Sequence, residues 1–364
     1  MTMAGLSKEV HQEKHSSVQE LVENGIELPN NYICKDPIYD ESTDSNSLPY
    51  LDIPVIDMSL LTTKEELQKL HSALSSVGCF QVINHGIEVG TLDKMSKMAR
   101  EFFHQPSEEK QKYARLEDDV EGYGTDKVLV ENQTLDWADR LYLKISPEDT
   151  RKPQFWPQNP KDFRKTLLEY SSGITNIIKS ILQSAARKFD LPENSFLDEC
   201  GERAVMFCRF NYFPPCPKPD EILGLKTHTD GSALAILLPD KEVEGLQFLK
   251  DDKWYKVPHL LPNALLFNAG DQLEIISNGI FKSPLHRAVT NSEKERLSVV
   301  MFWGPGVGQE IGPLEGLITE ETPRGFIRLK DYNVTYGKYY QTCQAAIDVV
   351  RINYEPPIND LHLS

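Results

Sequence analysis

The sequence predicts a mainly β fold, a sandwich or barrel core with helices packed outside it. Three observations carry this. From Ala204 to about Gly304, short β-rich runs alternate with Pro, Gly, Asn and Asp clusters at regular spacing. Ahead of them, Phe163 to Phe189 repeats Leu167, Leu168, Ile174, Ile177, Ile178, Ile181 and Leu182 at three- and four-residue steps, the period of an amphipathic helix. At 364 residues, 40% of them hydrophobic and 26% charged, the chain can bury a sizeable core.

Residues 1–50 read as an N-terminal extension and linker, with a short helix at Ser17 to Asn24. Its last stretch, 36–50, is acidic, Ser-containing and Pro-bounded, the composition of an exposed connection. Residues 51–200 form a mostly helical region. I-P-V-I-D (Ile53 to Asp57) is a brief β run, and Thr63 to Ser76 is helical through Leu67, Leu70 and Leu74. G-C-F-Q-V-I-N-H-G (Gly78 to Gly86) reads as a buried strand ended by a turn. Helical spacing resumes from Leu92 to Phe103, with Met95, Met98, Phe102 and Phe103 as the apolar face, and a Gly- and acid-rich loop follows at Leu116 to Asp126. Residues 201–305 are the β core, and 306–364 a C-terminal tail whose Leu329 to Val349 reads as helix.

The net charge of -16 argues against nucleic acid, which demands a dense basic surface, and against docking on anionic membrane. No apolar run approaches the ~20 residues of a membrane-spanning helix. The N-terminus has no apolar h-region and is not Arg-rich, so neither a secretory signal nor a transit peptide is expected. Six scattered cysteines without a C-x-x-C pair favour reduced thiols and a cytoplasmic chain.

The chemistry begins at L-K-T-H-T-D-G-S-A-L-A-I-L-L-P (Leu225 to Pro239). His228 and Asp230 stand two apart at the mouth of an apolar run, so in an extended strand both face the same way. Alone, the pair is equally well a surface histidine and a turn aspartate. S-P-L-H-R-A-V-T-N (Ser283 to Asn291) adds His286 on strand-like flanks. Two imidazoles and a carboxylate are the facial triad that holds Fe(II) with open positions. R-L-S then sets Arg296 and Ser298 on one face of an apolar strand. They form either one half of an internal salt bridge or a fork for a small dicarboxylate.

These segments, with E-G-Y-G, L-D-W-A-D, N-Y-F-P-P-C-P-K-P, V-E-G-L-Q, N-A-G-D, S-N-G-I-F-K-S-P-L-H-R and E-R-L-S, resemble the plant Fe(II)/2-oxoglutarate-dependent dioxygenases of specialised metabolism. Within them the chain is most similar to the senescence-related (SRG1-like) group that includes the poppy alkaloid O-demethylases. The resemblance runs from near Ile53 to about Tyr340. It implies a double-stranded β-helix, or jelly roll, with a helix-rich N-terminal region. It implies His228, Asp230 and His286 as iron ligands, Arg296 and Ser298 on the distal carboxylate of 2-oxoglutarate, and Asn211 at the other end of that cosubstrate. Tyr212 is kept as a further cosubstrate candidate, although in an extended segment it faces the opposite way. Phe213 stands where many relatives carry a second tyrosine, and cannot supply a hydroxyl.

For substrate, the resemblance and residue types point to Phe302, Tyr142, Phe213, Arg140 and Arg209, with Trp303 read as core. Asp126, Glu131 and Asp136 are either solvated loop acids or a lure for a cationic amine. The implied reaction hydroxylates or O-demethylates a small aromatic or polycyclic metabolite, alkaloid or flavonoid in type. It consumes 2-oxoglutarate and O₂ and releases succinate and CO₂, with ascorbate as reductant in vitro. A monomer with no nucleic-acid or membrane partner is expected. The alternatives are a hormone-inactivating dioxygenase of the same fold and a non-catalytic, metal-binding cupin-like protein.

Overall fold

Ser17 and Glu20 make a reciprocal capping box that opens α1 (Val18–Glu23). The computed structural model describes residues 17–25, 28–34, 47–126, 128, 133–341 and 344–352, so most of the expected exposed connection and Glu131 lie outside the described residues. Thr63 accepts from the Glu66 amide and starts α2 (Lys64–Ser76). Then come α3 (Val89–Phe103), α4 (Ser107–Gln111), α5 (Phe163–Lys188), α6 (Ser195–Cys200), α7 (Asp271–Ile276) and α8 (Tyr332–Tyr340). Leu167, Ile174, Ile178 and Ile181 of α5 are fully buried, each worth roughly 1.5–3 kcal/mol relative to exposure. The tail is less helical than its sequence suggests: α8 ends at Tyr340, and a short 3₁₀ turn occupies Asp348–Val350.

The strands of the two main sheets are β1 (Val55–Asp57), β2 (Cys79–Ile83), β3 (Gly122–Gly124), β4 (Asp139–Ser146), β5 (Val205–Phe213), β6 (Leu223–His228), β7 (Leu234–Leu238), β8 (Leu246–Lys250), β9 (Lys253–Lys256), β10 (Leu265–Ala269), β11 (His286–Val289) and β12 (Arg296–Gly304). They form a major sheet ordered β1-β2-β10-β7-β12-β5-β4-β3 and a minor sheet ordered β6-β11-β8-β9, the two walls of a jelly roll. The first half of the chain therefore supplies both edges of the major sheet as well as the helices outside it.

Alternation along β12 separates the two faces. Leu297, Val299, Met301 and Trp303 enter the core under the helices, while Arg296, Ser298, Val300 and Phe302 face inward. Register carries the inward face across β5 through Phe213, Asn211, Arg209 and Phe207, and across β4 through Arg140, Tyr142 and Lys144. One turn needs glycine outright. Gly78 has φ +76°, and a Cβ there would lie 1.9 Å from the Lys282 carbonyl oxygen.

Asp139, on the outer face of β4, is fully buried and accepts from the Val18 and Gln19 amides at 2.8 and 3.0 Å, pinning α1 to the sheet. Burial pushes its carboxyl from 3.8 up to about 6, against the pull of those amides. Between those values the folded chain keeps a proton that the unfolded chain has released, so stability falls as pH rises through the window. Asp139→Asn is expected to flatten that slope, on the order of 3 kcal/mol over the interval. Melting curves taken from about pH 4 to 6 check this, and an unchanged slope would count against it.

Candidate active site

β6 and β11 run antiparallel with His228 directly opposite His286, so two imidazoles 58 residues apart in the chain arrive side by side, ring centroids 4.3 Å apart. Each ring is held by its own backbone. His228 Nδ1 lies 2.7 Å from the Lys226 carbonyl, and His286 Nδ1 lies 2.9 Å from the Pro284 carbonyl. With Nδ1–H donating to a carbonyl, each Nε2 is left with a lone pair, the outer-shell arrangement typical of a metal-bound histidine. Both Nε2 atoms point at Asp230 Oδ1, at 3.9 Å from His228 and 3.8 Å from His286. The three donor atoms lie within 4.8 Å of one another, the spread expected of ligands sharing one ion.

Electrostatics fit the same conclusion. Burial, with His286 alongside, holds His228 well below the ordinary histidine value, so its lone pair is available. Burial raises the Asp230 carboxyl, with the Asn268 side chain working the other way as a hydrogen-bond partner. A carboxylate in that position favours a cation beside it. The residues present fit a divalent metal, and two imidazoles with one carboxylate are the donor set suited to Fe(II).

The loop carrying Asp230 is clamped from outside. The Asp271 amide at the start of α7 donates to the Asp230 carbonyl at 2.8 Å. The Asp271 carboxylate accepts from Thr229 Oγ1 at 3.0 Å and the Tyr332 hydroxyl at 2.6 Å. Tyr336 donates to the Thr229 carbonyl at 2.8 Å, with its ring over Gly231, where a Cβ would fall 2.4 Å away. Tyr332, Tyr336 and Tyr340 stand at i, i+4 and i+8 of α8, one stripe laid across the H-T-D-G segment. The Tyr340 ring meets His228 edge-on at 5.4 Å.

Arg296 and Ser298 open the inward face of β12 and are both buried. Among the described residues no carboxylate lies within ion-pair distance of Arg296. Its Nε has no hydrogen-bond partner, and its guanidinium rests on the Phe213 ring at 5.2 Å. Burial lowers it to about 10, with Asp240 acting against that. The internal salt bridge weighed from sequence is therefore not made. A buried, unpaired guanidinium is costly, and a carboxylate ligand relieves it. Ser298 Oγ accepts from Asn211 Nδ2 at 3.2 Å, and Asn211 Oδ1 accepts from Arg209 Nε at 2.6 Å, so one polar chain crosses β12 and β5.

Two sequence expectations need correction. Tyr212 faces the helices, where its hydroxyl donates to Glu295 at 2.8 Å and its ring stacks on Phe103 at 5.2 Å. Strand alternation keeps it out of the cosubstrate site. Phe213 faces inward but is fully packed among Ala138, Ala288 and Leu225 beneath Arg296, so it offers no substrate surface. Trp303 is core, as its pattern suggests. Tyr142, Arg140, Arg209 and Phe302 stand on the inward face. Tyr142 stacks on Phe207 at 5.0 Å with an interplanar angle of 2°.

Sequence reasoning passed over Phe207, Lys226, Asn268 and the α8 tyrosines. Lys226 stands two residues before His228, so strand alternation alone could have placed it on the site face. It is buried, with Nζ 2.7 Å from Asp126 and 2.9 Å from Asp136, under the Tyr340 ring at 4.3 Å.

Comparison with known proteins agrees with this geometry. Residues 204–305 match the 2OG-Fe(II) oxygenase superfamily, and residues 53–159 match the N-terminal region of a non-haem dioxygenase in morphine synthesis. The chain is 40% identical over 349 residues to Protein SRG1 of Arabidopsis thaliana, covering 92% of this chain and 96% of that one. It is 38% identical to codeine O-demethylase of Papaver somniferum, over 86% and 88% of the two chains. It is 40% identical to oxoglutarate-dependent flavonoid 7-O-demethylase 1 of Ocimum basilicum, over 89% and 86%. Among solved structures it is similar to JOX2 in complex with 2OG, Fe and JA, at a TM-score of 0.80 and 33% identity over 89% and 94% of the chains. The chain thus belongs to the 2OG-Fe(II) oxygenase superfamily, as a dioxygenase that works with Fe(II) and 2-oxoglutarate.

Proposed function

We propose that this dioxygenase oxidises a C–H bond of a small aromatic or polycyclic plant metabolite, by hydroxylation or by O-demethylation. The observation that carries it is the inward wall. Stacked Tyr142 and Phe207, with Phe302 opposite Phe207 in register, face the same interior as His228, Asp230 and His286. Flat aromatic rings bury large area in offset stacking, which suits a planar body. The names of the codeine and flavonoid demethylases support the same substrate type.

In this reading His228 Nε2, His286 Nε2 and one Asp230 oxygen hold Fe(II). Arg296 and Ser298 grip the distal carboxylate of 2-oxoglutarate, and Asn211 borders the cosubstrate through Ser298. The metal with its cosubstrate supplies the oxidising power, yielding succinate and CO₂. The chain's own task is orientation. The Nδ1 bonds fix the imidazoles, the Asp271–Tyr332–Tyr336 clamp fixes the Asp230 loop, and the two sheets exclude water. Hydroxylation and O-demethylation differ only in which C–H is presented, because a hydroxylated O-methyl carbon collapses to formaldehyde.

The chain works as a cytoplasmic monomer. The five described cysteines are free and buried, as suits a reducing compartment. No helix of the described residues is long and apolar enough to cross a membrane.

The test is a panel of methoxylated aromatics paired with their unmethylated parents, each given with Fe(II), 2-oxoglutarate and ascorbate. Substrate-stimulated succinate is expected, accompanied by formaldehyde only when the oxidised carbon is an O-methyl. A panel and a plant metabolite extract that both leave succinate at its background rate would sink the reading.

A further inference from the structure

Near the β4 edge of the inward wall, cations outnumber acids. Arg140 and Arg209 lie on adjacent strands as a diagonal pair on one face, two residues out of register, since Arg140 pairs with Asn211 and Tyr142 pairs with Arg209. Arg115 joins them from outside the sheet, close to Gly124, the β3 partner of Arg140. Lys226 completes the group. Among the described residues the carboxylates in reach are Glu121, which takes the Lys144 amide at 2.8 Å and lies 3.7 Å from Lys152 Nζ, and Asp126 and Asp136, which are also committed. Asp126 Oδ2 takes Lys226 Nζ at 2.7 Å. Asp136 Oδ1 takes the same Nζ at 2.9 Å and the Lys226 amide at 2.9 Å, and Asp136 Oδ2 takes the Tyr340 hydroxyl at 2.8 Å.

Among the described residues, Arg140, Arg209, Lys144 and Lys226 outnumber Asp126, Asp136 and Glu121 along this wall, with Arg115 beside them outside the sheet. Arg209 spends its Nε on Asn211. Among the described residues Arg140 has no carboxylate within ion-pair distance; its Nε is sealed from solvent without a partner, and its guanidinium lies 5.6 Å from the centre of the Tyr142 ring. The metal centre does not absorb this surplus. Fe(II), Asp230, a doubly charged 2-oxoglutarate and Arg296 already sum to zero. Burial lowers Arg140 and Arg209 beside it adds to that, while Arg209 is raised against its own burial by Tyr340, Asp136 and Asp126. Structures keep such charges where a ligand of opposite sign completes them.

We propose that Arg140 and Arg209 recognise an anionic oxygen group on the substrate, a carboxylate carried on an aromatic or polycyclic body, and that the site does not select a cationic amine. The inference rests on the reading that this wall is the substrate wall. A guanidinium presents a planar fork that matches a carboxylate with two parallel bonds. The body of the same molecule then lies along Tyr142, Phe207 and Phe302. Of the acids that sequence alone offered as a lure for an amine, Asp126 and Asp136 are held by Lys226 and Tyr340, and Glu131 lies outside the described residues.

The experiment is calorimetric titration, without oxygen, of the full chain loaded with Fe(II) and 2-oxoglutarate. The probes are 2-naphthoate, 2-naphthol, 2-naphthamide and 2-naphthylmethylammonium, followed by larger polycyclic acids with their matched amides. The acids are expected to bind at least about tenfold more tightly than the amides, as charge-assisted bonds exceed neutral ones, with 2-naphthol and the ammonium no better than the amide. Arg140→Gln is expected to erase the preference while 2-oxoglutarate binding is unchanged, and Arg140→Lys to retain part of it. Equal binding of acids and amides, tightest binding of the naphthol or the ammonium, no binding by any acid, or a preference that survives Arg140→Gln overturns the proposal. Failure of 2-oxoglutarate itself to bind the Fe(II)-loaded chain would instead overturn the wider assignment of the wall.

Discussion

Asp230→Ala is expected to lower substrate-coupled decarboxylation of 2-oxoglutarate by at least about 100-fold. That is the upper end of what losing even a supporting outer-shell partner costs a metal site, and Asp230 supplies a donor atom itself. Its oxygen is the point on which both Nε2 atoms converge, at 3.9 and 3.8 Å. It is also the only carboxylate of the three. Removal leaves two imidazoles in a buried space without an anionic donor, with Arg209 near enough to disfavour a cation further. Succinate formation measured against wild type checks this, with a melting curve to show that the fold survives. Activity within a few-fold of wild type would be incompatible with the ligand set described above.

Arg296→Met is the second large effect. The side chain keeps length and apolar contact with Phe213 but loses the charge that a C5 carboxylate needs. Leaving one partner of a buried charged pair alone costs roughly 2–5 kcal/mol, so KM for 2-oxoglutarate is expected to rise by about 100-fold. Turnover at saturating cosubstrate should fall far less, the signature of lost ground-state binding. Ser298→Ala removes one neutral bond, worth about 1 kcal/mol, and the expected rise is several-fold. An Arg296→Met enzyme with unaltered KM would place the carboxylate elsewhere.

The site's polar core was legible because strand alternation is a strict rule. His228 with Asp230, and Arg296 with Ser298, stand two apart on strands, so their shared direction follows from sequence. The same rule, applied without exception, excludes Tyr212, whose hydroxyl goes to Glu295. What alternation cannot supply is the pairing of distant strands. That His228 lies opposite His286, or that Arg140 lies diagonal to Arg209, two residues out of register across β4 and β5, depends on register. Phe213 shows a further limit. It faces inward as expected, yet it is buried among Ala138, Ala288 and Leu225 beneath Arg296, which alternation alone does not reveal.

The fold follows the same division. Long apolar periods such as α5 and capped starts such as Thr63 and Ser17 declare themselves locally. β4 was missed although D-R-L-Y-L-K-I-S alternates cleanly, because its inward residues are polar or aromatic rather than aliphatic. β3 has only three residues, two of them glycine, and is a strand only because β4 pairs with it. The tail promised a longer helix because its tyrosines recur at helical spacing. Those tyrosines serve to clamp the Asp230 loop, and the helix ends once Tyr340 has reached Asp136.

The central claim is that the two histidines and Asp230 hold a metal on which 2-oxoglutarate binding depends, with Arg296 anchoring its far end. Anaerobic calorimetric titration of 2-oxoglutarate into the chain, with and without Fe(II), tests it most directly. The expected result is one equivalent bound in the presence of Fe(II), markedly weakened without the metal and in both Asp230→Ala and Arg296→Met. Equal affinity with and without Fe(II), or in all three proteins, would contradict it.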